Sequence, residues 1–363
     1  MGSDKINNEI LEIIAISLDF PYRLTERFGY SSRSIFRFVE VLIKEKLIKK
    51  YRKDGIYSLR ITKKGQRYLL KNNPTRFEAS TKRKYCKTEV SKRLRVHRIA
   101  ETYMTMKEAD VRIFKDEKPN VFCEQEIDSA VIEQPSFYSS NEIKEFGPEC
   151  TKIKYTRAVG VLITQYNDGF FVYNTENSLM KWSNRSEQKL DGVITGLLMK
   201  NQVQVRNFAG LMLGKSMDCA GRALISDGGV KNELFKVDGT FSEFYYIPEG
   251  NEGKLLLKLL INQEDRIKLK NTIKNSFRIA SEILPFASDG VDTEDRPVLL
   301  AYEFDMEKIK KFKSGLEMFE EHGIVICFDF QRRVLEEYFG ELARIVTLSK
   351  DMVAKELDGW NEK

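Results

Sequence analysis

Two carboxylates, Asp305 and Asp329, close the apolar stretches P-V-L-L-A-Y-E-F-D and G-I-V-I-C-F-D-F. Open α/β sheets bind ligands at the carboxyl ends of their strands. Two acidic groups there have the chemistry to hold Mg²⁺ for phosphoryl transfer. A simpler task competes: each Asp directly precedes a helical pattern, where its side chain caps the first unpaired amides. Capping is the expected role, because the rest of a nuclease site is missing. The nearest acidic-x-Lys triplet, Glu187-Gln188-Lys189, falls in a helical pattern instead of a strand, and no G-x-x-x-x-G-K phosphate loop occurs. Five cysteines (Cys86, Cys123, Cys150, Cys219, Cys327) are scattered without a C-x-x-C pair, and the histidines number two, His97 and His322. That inventory argues against a zinc site and against the histidine cluster of a relaxase. No catalytic residue, metal or cofactor is expected.

The other residues with a chemistry are basic. In Y-S-S-R-S-I-F-R-F-V-E-V-L-I-K (Tyr30 to Lys44) Arg33, Arg37, Glu40 and Lys44 recur at helical steps, opposite the apolar Ile35, Phe38, Val39, Leu42 and Ile43. This predicts an amphipathic helix over Ser32 to Leu47, with Ser31 or Ser32 as its N-cap. Ile56, Tyr57, Leu59 and Ile61 then read as a strand, and Asp54-Gly55 is a tight-hairpin dipeptide. Thr62 to Gly65 is expected to close that hairpin, with a short helix from Gln66 to Leu70. Upstream, Ile6, Ile10, Ile13, Ile14 and Leu18 mark an amphipathic helix, Tyr22 to Phe28 a short one, and Gly29 a turn.

Helix, short helix, turn, basic helix and basic hairpin resemble a winged helix-turn-helix. The ending Leu59, Ile61, Thr62, Gly65 resembles the wing of MarR- and PadR-like regulators. The likeness implies a recognition helix whose N-terminal half enters the major groove of double-stranded DNA while the hairpin straddles a neighbouring backbone. The expected DNA-contacting set is Ser32, Arg33, Ser34, Arg37 and Lys44 on the helix, with Lys50, Arg52, Lys53, Arg60, Lys63 and Lys64 on and around the hairpin. Lys92, Arg93 and Arg95 extend it into a helix over about Thr88 to Glu108. His97, in R-V-H-R, is expected as a hydrogen-bonded helix residue in preference to a phosphate contact.

The 363-residue chain has a net charge of +6, but Pro21 to Arg98 holds 24 Lys and Arg against 6 Asp and Glu, leaving −12 on the remainder. Such asymmetry indicates a localised polyanion site. The length allows two or three cored domains. We expect a mixed α/β protein: a winged helix-turn-helix domain at 1–74, a basic helical connector at 75–120, and an acidic α/β body at 121–363 with a mainly parallel sheet. In the body, Ser139 and Glu142 have capping-box spacing, and Arg157 to Thr175 reads as a hairpin around Asn167-Asp168-Gly169. Helices are expected near Ser186 to Met199, Met217 to Ile225, Asp265 to Leu284, Met306 to Glu321 and from Gln331. Strands are expected at Ala209 to Gly214, Phe244 to Ile247, Lys254 to Leu260, Pro297 to Asp305 and Gly323 to Phe330. No apolar run is long enough to cross a bilayer, and neither a leader nor a disulfide framework is evident, so a reduced cytoplasmic protein is expected.

The basic segment K-R-L-R-V-H-R-I-A-E (Lys92 to Glu101), F-Y-S-S-N-E-I-K (Phe137 to Lys144) and R-A-V-G-V-L (Arg157 to Leu162), together with the winged-helix pattern, resemble replication-relaxation-type proteins of Gram-positive mobile elements. The resemblance implies sequence-recognising DNA binding in the replication or mobilisation of a plasmid or integrative element. The body would then form a homodimer or recruit a replication or mobilisation protein. The same pattern leaves open a transcriptional repressor of such an element, an inhibitor occupying the nucleic-acid groove of another protein, and a degenerate metal-dependent nuclease.

Overall fold

The computed structural model describes residues 2–82, 88–122, 131–144, 156–229, 233–349 and 353. The chain is mixed α/β and divides into two units, Met1–Ser139 and Ser140–Lys363. Cys86, Cys123 and Cys150 lie outside the described residues, as do Arg83, Lys84 and Lys87 of the basic run.

The first unit is built around α1 (Gly2–Ser17). Ile10, Leu11, Ile13 and Ile14 are fully buried, each adding roughly 1.5–3 kcal/mol relative to exposure. That is wider than one stripe, because neighbours cover several sides: α2 (Ser32–Lys44), α3 (Lys63–Asn72), α4 (Pro74–Lys82) and α5 (Val90–Glu108) all pack on α1. Segment 75–120, expected as a connector, thus contributes α4 and α5 to the core of this unit. Tyr22–Phe28 forms a 3-10 helix that ends at Gly29, whose φ of 74° is the left-handed value glycine accepts without strain.

The hairpin forms as expected. β2 (Ile48–Lys53) and β3 (Ile56–Ile61) pair antiparallel with Lys53 opposite Ile56, across Asp54 (φ 52°) and Gly55 (φ 74°). A third strand, β1 (Phe20–Pro21), adds to β3. Thr62 does not close the hairpin as a loop residue. It caps α3, accepting from the Gly65 amide at 3.1 Å, so that helix begins at Lys63. Strand β4 (Ser136–Ser139) ends the unit.

In the second unit Ser140–Ile143 is a single helical turn, α6. β5 (Gly160–Ile163), β6 (Gly169–Glu176), β7 (Phe208–Gly214) and β8 (Phe244–Pro248) lie side by side in that order. β5 and β6 are antiparallel, while β6, β7 and β8 run parallel. Helices α7 (Asn184–Lys200) and α8 (Met217–Ile225) belong to this unit. The stretch Lys254 to Leu260, expected as a strand, lies within helix α9 (Asn251–Ile261). Its apolar residues are leucines, not β-branched ones, and Lys254 and Lys258 are one turn apart, so a helix of good formers wins. α10 spans Gln263–Ser276.

A second sheet has the order β12-β11-β10-β9. β10 (Pro297–Leu300), β11 (Gly323–Phe328) and β12 (Ala343–Leu348) are parallel, linked by α11 (Met306–Phe319) and α12 (Arg332–Phe339). β9 (Gly290–Val291) is its antiparallel edge. The single mainly parallel sheet is therefore replaced by two mixed ones. β12 was not anticipated: Gly340 (φ 56°) ends α12 and releases A-R-I-V-T-L into a strand. Among the described residues no helix is long and apolar enough to cross a membrane.

Candidate nucleic-acid interface

Helix α2 starts at a cap. The Ser31 hydroxyl accepts from the Ser34 amide at 3.3 Å and lies 2.9 Å from the Ser34 hydroxyl. Ile35, Val39 and Leu42 are buried, as α2 packs on α1, β2 and the 3-10 helix. With that face fixed, residues 33, 36, 37, 40 and 44 must point the other way. Ser32, Arg33, Arg37 and Lys44 are accordingly exposed, Ser34 and Glu40 half-buried. Phe36 shares this polar stripe and is 56% exposed. Its three-residue step from Arg33 and four-residue step to Glu40 mark its side of the helix in the sequence.

The hairpin divides its side chains by strand alternation. Lys50 and Arg52 occupy one face, and Lys50 Nζ reaches Glu40 Oε1 of α2 at 2.6 Å. Tyr57, opposite Arg52, sets its ring 4.9 Å from that of Tyr22. Lys53 and Lys63 are exposed. Lys64, also exposed, donates to the Glu45 carbonyl at 2.8 Å, bracing the end of α2.

On the other face of the hairpin Lys49 and Lys53 stay exposed, but Arg93 of α5 reaches Ser58 and the ring of Tyr51, and here two expectations are corrected. Arg60 and Arg93 do not face outward; they are 6% and 0% exposed. Both converge on Asp19, itself fully buried. Asp19 Oδ1 accepts from Ser58 Oγ at 2.5 Å and Arg60 Nε at 2.6 Å; Oδ2 accepts from Arg93 Nε at 2.9 Å and stands 3.1 Å from His97 Nε2. Burial opposes ionisation of this carboxyl, but the bonds from His97, Arg60, Ser58 and Arg93 outweigh it and hold Asp19 well below the usual carboxylate range. Tyr51 lies beneath both guanidinium groups, its ring centre 3.5 Å from Arg60 Cζ and 4.8 Å from Arg93 Cζ. Arg93 also donates to the Lys53 carbonyl at 3.0 Å. The pair thus moors the hairpin to the first turns of α5, which brings exposed Lys92 and Arg95 to the same end of the unit as the hairpin turn. The signal for Arg93 was present, since it lies four residues before His97 on the packed side of α5. For Arg60 the same-face neighbour Ser58 was the signal, and its cover from α5 was not visible in the chain. His97 is the hydrogen-bonded helix residue expected of it.

Of the two carboxylates expected at strand ends, Asp305 lies beyond β10, which stops at Leu300, and is a cap. Its Oδ1 accepts from the Glu307 amide at 3.1 Å and from the Phe244 amide at 2.9 Å. Burial, only partly offset by the Phe244 amide, pushes its pKa up to about 6. Asp329 is exposed and begins a 3-10 turn without capping it; the expectation is corrected. Gln331 does that work, accepting from the Phe328 amide at 2.9 Å and donating to the Tyr302 carbonyl at 2.8 Å. Glu187 lies in α7, fully buried, where Thr156, the Arg157 amide and Tyr173 donate to it at 2.8–2.9 Å. Cys219 and Cys327 are buried free thiols. Among the described residues no three His, Cys, Asp or Glu side chains gather closely enough to hold a metal ion.

The chain matches no protein-family model, no curated protein and no solved structure.

Proposed function

We propose that the protein is a sequence-recognising binder of double-stranded DNA, with α1, the 3-10 helix, α2 and the β2–β3 hairpin acting as a winged helix-turn-helix. α2 is the recognition helix. Ser32, Arg33 and Arg37 on its first turns reach base edges, while Lys44, Lys50, Arg52, Lys53, Lys63, Lys64, Lys92 and Arg95 hold phosphates. The observation that carries the reading is the exposed Arg33–Arg37–Lys44 stripe on a capped helix, next to a basic hairpin braced from behind by a buried ion cluster. Pre-set geometry of this kind limits the ordering cost of binding.

The biological setting rests on the likeness to replication-relaxation-type proteins. On that basis the protein works in the cytoplasm on a plasmid or integrative element, and the acidic second unit dimerises or recruits a replication or mobilisation protein. Sequencing the fragments that the purified chain retains from genomic and plasmid DNA tests both levels. Enrichment of one motif near an origin supports the whole reading, and enrichment at a promoter makes the protein a repressor. Retention without any sequence preference would remove the recognition role.

A further inference from the structure

We propose that Phe36 is a specificity-determining residue that packs on the C5 methyl group of thymine in the major groove, an inference that rests on α2 being the recognition helix. Phe36 is 56% exposed at the centre of the outward stripe, where a soluble helix ordinarily carries polar side chains. Its neighbour Phe38, by contrast, has turned inward far enough to meet Tyr30 edge-on at 6.1 Å. Arg33 stands one turn before Phe36 and Arg37 beside it, both exposed. Lys50 Nζ lies 5.9 Å from the centre of the Phe36 ring and is held by Glu40 at 2.6 Å.

A lone ring among charges does not make a protein-docking patch, which needs contiguous apolar area. It does suit a polyanion that presents an isolated apolar group. In the major groove thymine alone of the four bases offers a methyl. Against the polar edges of guanine, adenine or cytosine a phenyl ring would desolvate donors and acceptors and return no hydrogen bond, at a net cost. The ring therefore favours thymine both by contact and by exclusion. Arg33 and Arg37 fix the helix in the groove around it, and Lys50 neutralises Glu40, the one carboxylate on the stripe.

The test uses the full chain. A duplex selected from a random library is resynthesised with each thymine in turn replaced by deoxyuridine, which deletes only the methyl. At one or two positions the wild type should lose about fourfold in affinity, the value of one buried methyl-sized group. Phe36→Ala should bind the thymine and uracil forms of those duplexes equally, and Phe36→Leu should keep part of the discrimination. Because the side chain is mostly exposed, both variants should retain the wild-type circular dichroism. Equal binding of thymine and uracil duplexes by the wild type, or a uracil penalty undiminished in Phe36→Ala, would overturn the assignment while leaving DNA binding intact. A change of oligomeric state in Phe36→Ala with unaltered thymine preference would overturn it in favour of a second copy of the chain. Selection that enriches no duplex at all removes the DNA reading and this inference with it.

Discussion

Asp19 anchors the first unit through charge. One carboxylate serves two arginines, a serine and a histidine in a space sealed from water, so the cluster tolerates no partial dismantling. Asp19→Asn keeps the shape but leaves two buried guanidinium groups without a counter-charge, a loss of about 3–5 kcal/mol, readable as a shifted urea midpoint. The pH dependence has a defined sign. Because Asp19 is depressed in the folded state, its contribution is complete above an unfolded value near ~4 and drains away as the pH falls towards the folded one. The Asn variant should lack that acid-side loss. Asp305 behaves oppositely. Raised to about 6, it favours the folded state fully below its ordinary pKa and loses that advantage as the pH rises through 6. Asp305→Asn, still able to accept from Phe244 and Glu307, should therefore be as stable as wild type or more so at neutral pH, by up to roughly 1–3 kcal/mol. Asp305→Ala, which removes the same charge but also the acceptor, should be about 1 kcal/mol or more less stable than the Asn variant. Denaturation of the three proteins at pH values either side of that pKa checks the order, and an Asn variant weaker than Ala would refute the capping account.

At the scale of elements, the proposed function gives α2 and the hairpin different tasks. The helix exposes Arg33 and Arg37 near its capped start, where on the proposed function their guanidinium groups would meet base edges. Arg33→Ala or Arg37→Ala should cost roughly 1–3 kcal/mol on the preferred duplex and relax the sequence preference. Lys53 sits beside the Asp54-Gly55 turn, and its backbone carbonyl, not its side chain, is what Arg93 holds. Lys53→Ala should therefore leave the fold unchanged and weaken specific and random duplexes alike. Competition titrations with the two duplex types distinguish these outcomes. Equal losses for all three variants would mean that α2 does not read bases. Much of this element was legible in the chain. The period of α2, its serine cap and the Asp-Gly turn are local signals, resolved within a few residues. The burial of Ser58 and Arg60 was not, because alternation marks Leu59 and Ile61 as one apolar set and leaves open whether the opposite set is covered too. α5 covers it by bringing Arg93 onto Ser58 and, with His97, onto the Asp19 carboxylate that also holds Arg60.

For the whole molecule, charge is the governing quantity. A +18 segment sits in a chain whose remainder carries −12, an asymmetry that, on the proposed function, would limit nonspecific adhesion to polyanions and concentrate binding on one region. Burial of Arg60 and Arg93 removes two cations from that region; on the proposed function the exposed basic residues that remain would neutralise about five phosphates. The logarithm of the binding constant should then fall against the logarithm of salt concentration with a slope near −4.5. A flat response in fluorescence anisotropy would exclude phosphate contacts as the source of affinity.

Local order in the sequence determined the helices with a clean apolar period, the glycine-marked turns, the crowding of basic residues and the mixed α/β class. Each of these depends on side chains close together along the chain. Tertiary structure alone decided which strand lay beside which, that residues 75–120 join the first core, and that Arg60 and Arg93 turn inward to Asp19. The physical reason is separation. Asp19 lies 41 residues from Arg60 and 74 from Arg93, and a charge becomes structural or available to a ligand only when folding decides what covers it.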